Sequence, residues 1–190
     1  MTEQQTVRLL SGLFERIDDE QRFSVLHLGP VLPETLDFLA GYRCKIYVCD
    51  VFSELPFQVD PADEQTLEQR LAVALDLPPE ARFDLCLFWD LFNYLGPEGI
   101  SALTGLLRPH WHQHSRAYAL GVHNIRNPQR DATFAIAGPE TLVSRSRSER
   151  LPGYAPVPQS RLKELMVGIE VQRSVLLGDG RLELLLAATP

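Results

Sequence analysis

The chain has 190 residues, 45% hydrophobic and 23% charged, an ordinary globular composition with enough apolar material for one sizeable core, so residues 1–190 read as a single domain. Its formal net charge of -7 argues against a general attraction to nucleic acid or to anionic membrane, and favours a neutral or cationic partner. An odd set of three cysteines, Cys44, Cys49 and Cys86, lies in or beside apolar runs, which excludes a disulfide framework and predicts buried thiols in a reducing cytoplasm.

Met1 to Gln5 is polar, without the apolar core of a secretion signal, and no run reaches the length of a membrane span. Val7, Leu10, Phe14 and Ile17 recur at helical spacing, predicting an amphipathic helix over roughly residues 4–19. Phe23 to Leu28 reads as a strand ending in Gly29-Pro30, and Pro33 to Leu39 as a helix opened by proline and closed before Gly41. Cys44 to Cys49 reads as a second strand ending in Asp50, joined to the first by a connection long enough for a parallel crossover.

A polar loop over 51–61 leads to a helix predicted over 62–75 from Leu67, Leu71, Ala74 and Leu75. Phe83 to Trp89 is a buried strand ending in Asp90, and Pro97 to Leu107 a helix. Arg116 to Val122 supplies another strand before a long excursion or lid over 124–158, rich in Gly, Pro, Ser and Arg. After a short helix over 161–167, strands over 169–177 and 181–188 flank Gly178-Asp179-Gly180, a hairpin turn signal. Alternating β and α units closed by a reversed hairpin predict an α/β three-layer sandwich with a mostly parallel sheet.

The strand tips and the closing hairpin resemble the class I S-adenosylmethionine-dependent methyltransferases over nearly the whole chain. The matching segments run from Val25 through Leu28-Gly29-Pro30-Val31-Leu32-Pro33, then Tyr47 to Asp50, then Phe83-Asp84 to Asp90, with Gly180-Arg181-Leu182-Glu183 resembling the closing strand. The resemblance implies a Rossmann-like sheet, S-adenosylmethionine as cofactor, and cofactor-binding roles for His27, Gly29, Asp50 and Trp89. Gly29 fills the first glycine position of the family's turn, whereas Val31 and Pro33 stand at the second and third. Val31 adds a side chain, Pro33 removes an N–H donor, and Glu34 would repel the cofactor's carboxylate, so reduced affinity is predicted. The third strand of the family's sheet also lacks a convincing segment before Pro78-Pro79, and Asp76 is the only acid placed for an adenine contact.

Asp50, at a strand's carboxyl end, reads either as a ribose-hydroxyl acceptor or as a plain strand-terminating acid. Asp90 reads as a base or substrate acceptor, or as the cap of the next turn, and Trp89, Asn93 and Tyr94 as a substrate wall or as core. His123 is the candidate proton acceptor on the neighbouring strand tip, against the alternative of a hydrogen-bonded surface group, and His27 is compatible with a purely structural role. His110, His112 and His114 alternate, yet they sit in a loop entering a strand at the sheet end opposite the ligand crevice, so no metal is predicted. Seven arginines from Arg108 to Arg150 make that stretch locally basic, and Ser144 to Ser148 alternates with Arg145 and Arg147 as an anion site or a solvated loop. The leading expectation is methyl transfer to a small molecule or protein side chain; the competing one is a non-catalytic methyltransferase-like domain that binds a metabolite or a protein. A dinucleotide-binding oxidoreductase ranks behind both, and neither substrate nor oligomeric state is specified.

Overall fold

The computed structural model describes residues 1–15, 17, 20–57 and 65–189. Strand β1 (Thr2–Thr6) and a 3-10 turn (Leu10–Leu13) precede β2 (Phe23–Leu28), α1 (Pro33–Leu39) and β3 (Cys44–Cys49). A 3-10 turn over Val51–Glu54, α2 (Leu67–Leu75), β4 (Leu85–Trp89), α3 (Phe92–Leu107) and β5 (Arg116–Val122) follow. The chain then forms β6 (Ala132–Gly138), β7 (Thr141–Ser146), α4 (Gln159–Leu165), β8 (Ile169–Leu176) and β9 (Arg181–Ala188).

Six strands form one mixed sheet in the order β3-β2-β4-β5-β9-β8. The pairs β2/β3, β2/β4 and β4/β5 are parallel, and β9 runs antiparallel to both β5 and β8. Every residue of β4 and β5 is buried, as continuous apolar runs covered on both faces must be. Among the described residues no strand lies outside β3, so the segment before Pro78-Pro79 adds no third parallel strand. Instead, Thr66 and Gln69 form a reciprocal capping box that starts α2 at Leu67, and Asp76 ends it in a left-handed cap at φ 42°. The part of the predicted 62–75 helix before Gln65 lies outside the described residues.

Two expectations change. Residues 2–6 form a strand rather than the first turns of a helix over 4–19, because β7 offers them a full antiparallel partner. The apolar residues that suggested helical spacing are still drawn inward: Val7 and Leu10 are buried. The chain there is held by Glu183, whose carboxylate accepts the backbone N–H groups of Arg8 (2.8 Å), Leu9 (2.7 Å) and Leu10 (3.1 Å) and the Tyr118 hydroxyl (3.0 Å). A buried carboxylate needs such compensation, and here it fixes the entry into the 3-10 turn.

The 124–158 excursion contains a hairpin, β6–β7, which joins β1 in a separate three-stranded antiparallel sheet, β1-β7-β6. This small sheet docks on α1. The Ile136 amide donates to the buried Thr35 hydroxyl at 3.1 Å, and Arg145 pairs with Glu34. No helix among the described residues is long and apolar enough to cross a membrane.

Candidate functional site

The carboxyl ends of β2, β3, β4 and β5 meet at the edge where open α/β sheets bind ligands. Around Gly29, at the tip of β2, this edge is filled by the chain itself. Gly29 adopts φ +124° and donates its N–H to the Cys49 carbonyl at 2.7 Å. The Phe52 ring, carried by the turn after β3, lies directly against it: a Cβ on residue 29 would stand 2.8 Å from Phe52 Cδ2. Phe52 is buried, its ring meeting the Tyr94 ring edge-on at 5.9 Å while the Arg147 guanidinium lies 4.8 Å from its centroid. Gly153 closes the same side, where a Cβ would press within 3.3 Å of both Pro56 and the Tyr94 carbonyl.

His27 is fully buried beneath this seal. Its Nε2 lies 3.2 Å from the Trp89 indole N–H, which can only donate, so Nε2 is unprotonated and Nδ1 carries the proton toward the Gly29 carbonyl, 3.2 Å away. Burial drives its pKa down to about 4, opposed by the hydrogen bond to Gly29. Both ring nitrogens are thus engaged inside the protein.

The β4/β5 side is open. Trp89 ends β4 at φ +53°, a backbone conformation that costs a bulky side chain free energy, and a register shift in the β4/β5 pairing accompanies it. The indole turns back toward His27 and stacks on Phe134 of β6 at 6.1 Å. The next residue, Asp90, faces a cavity of about 250 Å³ bordered by Asn93, Val122, Phe134, Tyr154 and Arg181. One Asp90 oxygen, Oδ2, accepts a long hydrogen bond from the Tyr94 hydroxyl (3.5 Å); Oδ1 has no partner. Burial raises the Asp90 pKa to about 7, with Arg147 and Arg181 pulling the other way. Arg181 donates to Asp179 (2.7 Å) and Gln5 (2.6 Å) and spreads over the Phe134 ring, whereas Arg130 stands at the rim, 3.5 Å from Asp179 Oδ2.

Of the residues singled out in the sequence, Asp90 and Asn93 line the cavity, and Asn93 is oriented by donating to the Leu120 carbonyl at 3.2 Å. Tyr94 stands in the wall between the two sides, touching Phe52 and Tyr154. Gly29 lies under Phe52, and Asp50 is exposed, beside a separate open depression of about 520 Å³ shared with Ser53 and Arg70. His123 is exposed, with its backbone N–H on the Gly180 carbonyl, and does not border the cavity. His112 is paired with Asp84 at 3.1 Å and His110 with the Ala81 carbonyl at 2.8 Å, and among the described residues no group of three His, Cys, Asp or Glu could hold a metal ion. Phe52 and Tyr154 were not identified from the sequence, Arg147 was read there only as part of an anion site or solvated loop, and Arg181 only as part of the closing strand. Arg147 belongs to the basic stretch and Arg181 to the hairpin after Gly178-Asp179-Gly180, which were the available signals.

No protein-family model matches the chain, and no curated protein matches it in sequence. Solved structures do match in shape. Mitomycin 7-O-methyltransferase MmcR superposes with a TM-score of 0.54 at 11% identity, over 95% of this chain and 53% of that one. The CcbJ methyltransferase of Streptomyces caelestis gives 0.54 at 14%, over 95% and 94%. The 1,6-didemethyltoxoflavin-N1-methyltransferase of Burkholderia thailandensis, with bound 1,6-didemethyltoxoflavin and S-adenosylhomocysteine, gives 0.53 at 14%, over 96% and 78%. The chain has the class I S-adenosylmethionine-dependent methyltransferase fold. It spans about half the length of MmcR.

The cofactor implied by this methyltransferase fold does not fit the crevice as it stands. The Phe52 ring covers the one glycine of the turn, Pro33 withholds an amide at the start of α1, and Glu34 brings its carboxylate to the same helix end, paired with Arg145.

Proposed function

We propose that this chain is a methyltransferase-fold domain that does not hold S-adenosylmethionine and instead binds a small metabolite in the cavity before Asp90. The observation that carries this reading is the Phe52 ring packed on Gly29. A ring in van der Waals contact with that backbone leaves no space for a ligand there, while the cavity on the β4/β5 side keeps volume, an unsatisfied carboxylate oxygen and aromatic walls. The free thiols of Cys44, Cys49 and Cys86 support a cytoplasmic setting.

Thermal unfolding with S-adenosylmethionine and S-adenosylhomocysteine tests it. A ligand present at 100 times its Kd stabilises by about 2.7 kcal/mol, and no shift is expected at millimolar concentration. A shift that disappears in Asp50→Ala would overturn the reading. It would favour a second one, methyl transfer, whose support is Asp90: a carboxyl titrating near 7 at the cavity wall suits acceptance of a proton from an acceptor hydroxyl or amine.

A further inference from the structure

Resting on the metabolite-binding reading above, we infer that the cavity before Asp90 takes a single-ring hydroxylated aromatic carboxylate, its hydroxyl on Asp90 Oδ1 and its carboxylate on Arg130 at the rim. Three observations lead there. Asp90 Oδ1 is buried without a hydrogen-bond partner at the cavity's inner wall, and a buried acceptor of that kind calls for a donor from outside the chain. Phe134, Tyr154 and Val122 make the sides apolar and partly aromatic, so the body of the ligand is flat and apolar. The volume, about 250 Å³, lies below the range typical of drug-sized ligands and suits one ring.

Charge selects the outer end. Arg181 is engaged by Asp179 and Gln5, whereas Arg130 holds Asp179 only at 3.5 Å and by the backbone carbonyl at 3.1 Å, and its side chain is 53% exposed. Arg130 and Arg181 match Asp90 and Asp179 in the cavity lining, and because Asp179 is taken up by Arg181, the charge left at the mouth is that of Arg130, which favours an anion there over a cationic amine.

Titration of the intact protein with benzoate, phenol and 3- and 4-hydroxybenzoate, followed by heteronuclear NMR, tests the inference. The better hydroxybenzoate is expected to bind at least tenfold more tightly than benzoate and severalfold more tightly than phenol, with the largest shifts at Val122 and Phe134. Asp90→Ala should erase the preference for the hydroxyl while benzoate still binds, and Arg130→Ala should erase the preference for the carboxylate. Equal binding of benzoate and both hydroxybenzoates, or no binding of any probe, overturns the inference. Should Asp90→Ala not fold, Asp90→Asn takes its place, and the comparison of ligands on the unaltered protein decides in any case. S-adenosylhomocysteine added to the same sample separates the two levels: its binding overturns the parent reading, whereas its failure to bind alongside absent hydroxyl selectivity overturns this inference alone.

Discussion

The two sides of the sheet's carboxyl edge are built from equivalent parts and finished in opposite ways. On the β2/β3 side most polar groups near the tip are engaged within the chain, the Gly29 amide on Cys49, both nitrogens of His27 and the Thr35 hydroxyl accepting from Ile136, and the one buried oxygen left over, Glu34 Oε2, belongs to a carboxylate already paired with Arg145. On the β4/β5 side a carboxylate oxygen is left over, facing a cavity. The strand tips themselves do not make this difference. It is made by Phe52 in the turn after β3 and by the β6–β7 hairpin laid across α1.

Removing the seal should have the largest effect. Phe52→Ala deletes a buried ring that touches Gly29 and Tyr94, and the loss expected in denaturant unfolding is about 3–5 kcal/mol. S-adenosylhomocysteine is expected to give no stabilisation of this variant, because Val31, Pro33 and the Glu34–Arg145 pair remain. A stabilisation would mean that one side chain separates the two sides.

A second, smaller effect sets the sides against each other through pH. His27 has its pKa lowered from 6.5 to about 4, so between those values the unfolded chain binds a proton that the folded one does not. Stability from His27 therefore rises with pH across that window and is complete above 6.5. Asp90 is raised from 3.8 to about 7, so the folded chain holds the extra proton, and its contribution is full below 3.8 and lost as pH rises to 7. They are worth roughly 3 kcal/mol for His27 and roughly 4 for Asp90, and from pH 4 to 6.5 the two slopes oppose. Relative to the unaltered protein, Asp90→Asn should gain stability as pH rises from 4.5 to 6.5, and His27→Gln should lose it. Parallel pH profiles for all three proteins would remove the electrostatic part of the contrast.

How much of this was legible in the sequence depends on where each residue's partner lies. Strands β2, β4, β5 and β9 announce themselves because their apolar runs are buried whatever pairs with them, the edge strands β3 and β8 are legible from their β-forming residues, and Gly178-Asp179-Gly180 marks the final hairpin. Asp90 and Asn93 stood out in the sequence because they follow the most apolar strand, and both line the cavity. β1 was not, since Thr2 to Thr6 carries no alternation and is a strand only by virtue of β7, more than a hundred residues away. The same holds for the excursion: Ala132 to Gly138 is an apolar run with Pro139-Glu140 at its end, yet its role follows from docking on Thr35 and Trp89. The Val31, Pro33 and Glu34 departures pointed to reduced cofactor affinity, but the residue that covers Gly29, Phe52, sits in an unremarkable loop and is turned inward by tertiary contacts alone.

The smallest effect tests the outer layer of the seal. Glu34→Gln removes the charge that meets Arg145, and both side chains of that pair are partly exposed, 26% and 40%. Exposed pairs contribute about 0–1 kcal/mol after screening, so the melting temperature should fall by no more than ~4 °C, and less in 1 M salt, where screening weakens the pair in the unaltered protein too. The informative readout is local. The Ile136 amide, bonded to the Thr35 hydroxyl one residue along, should exchange with solvent severalfold faster while amides of β4 and β5 are unchanged, since the hairpin can lift from α1 without unfolding the sheet. If Ile136 keeps its protection, the hairpin is held by Phe134 on Trp89 rather than by charge, and the closed side owes its closure to aromatic packing from Phe52 outward.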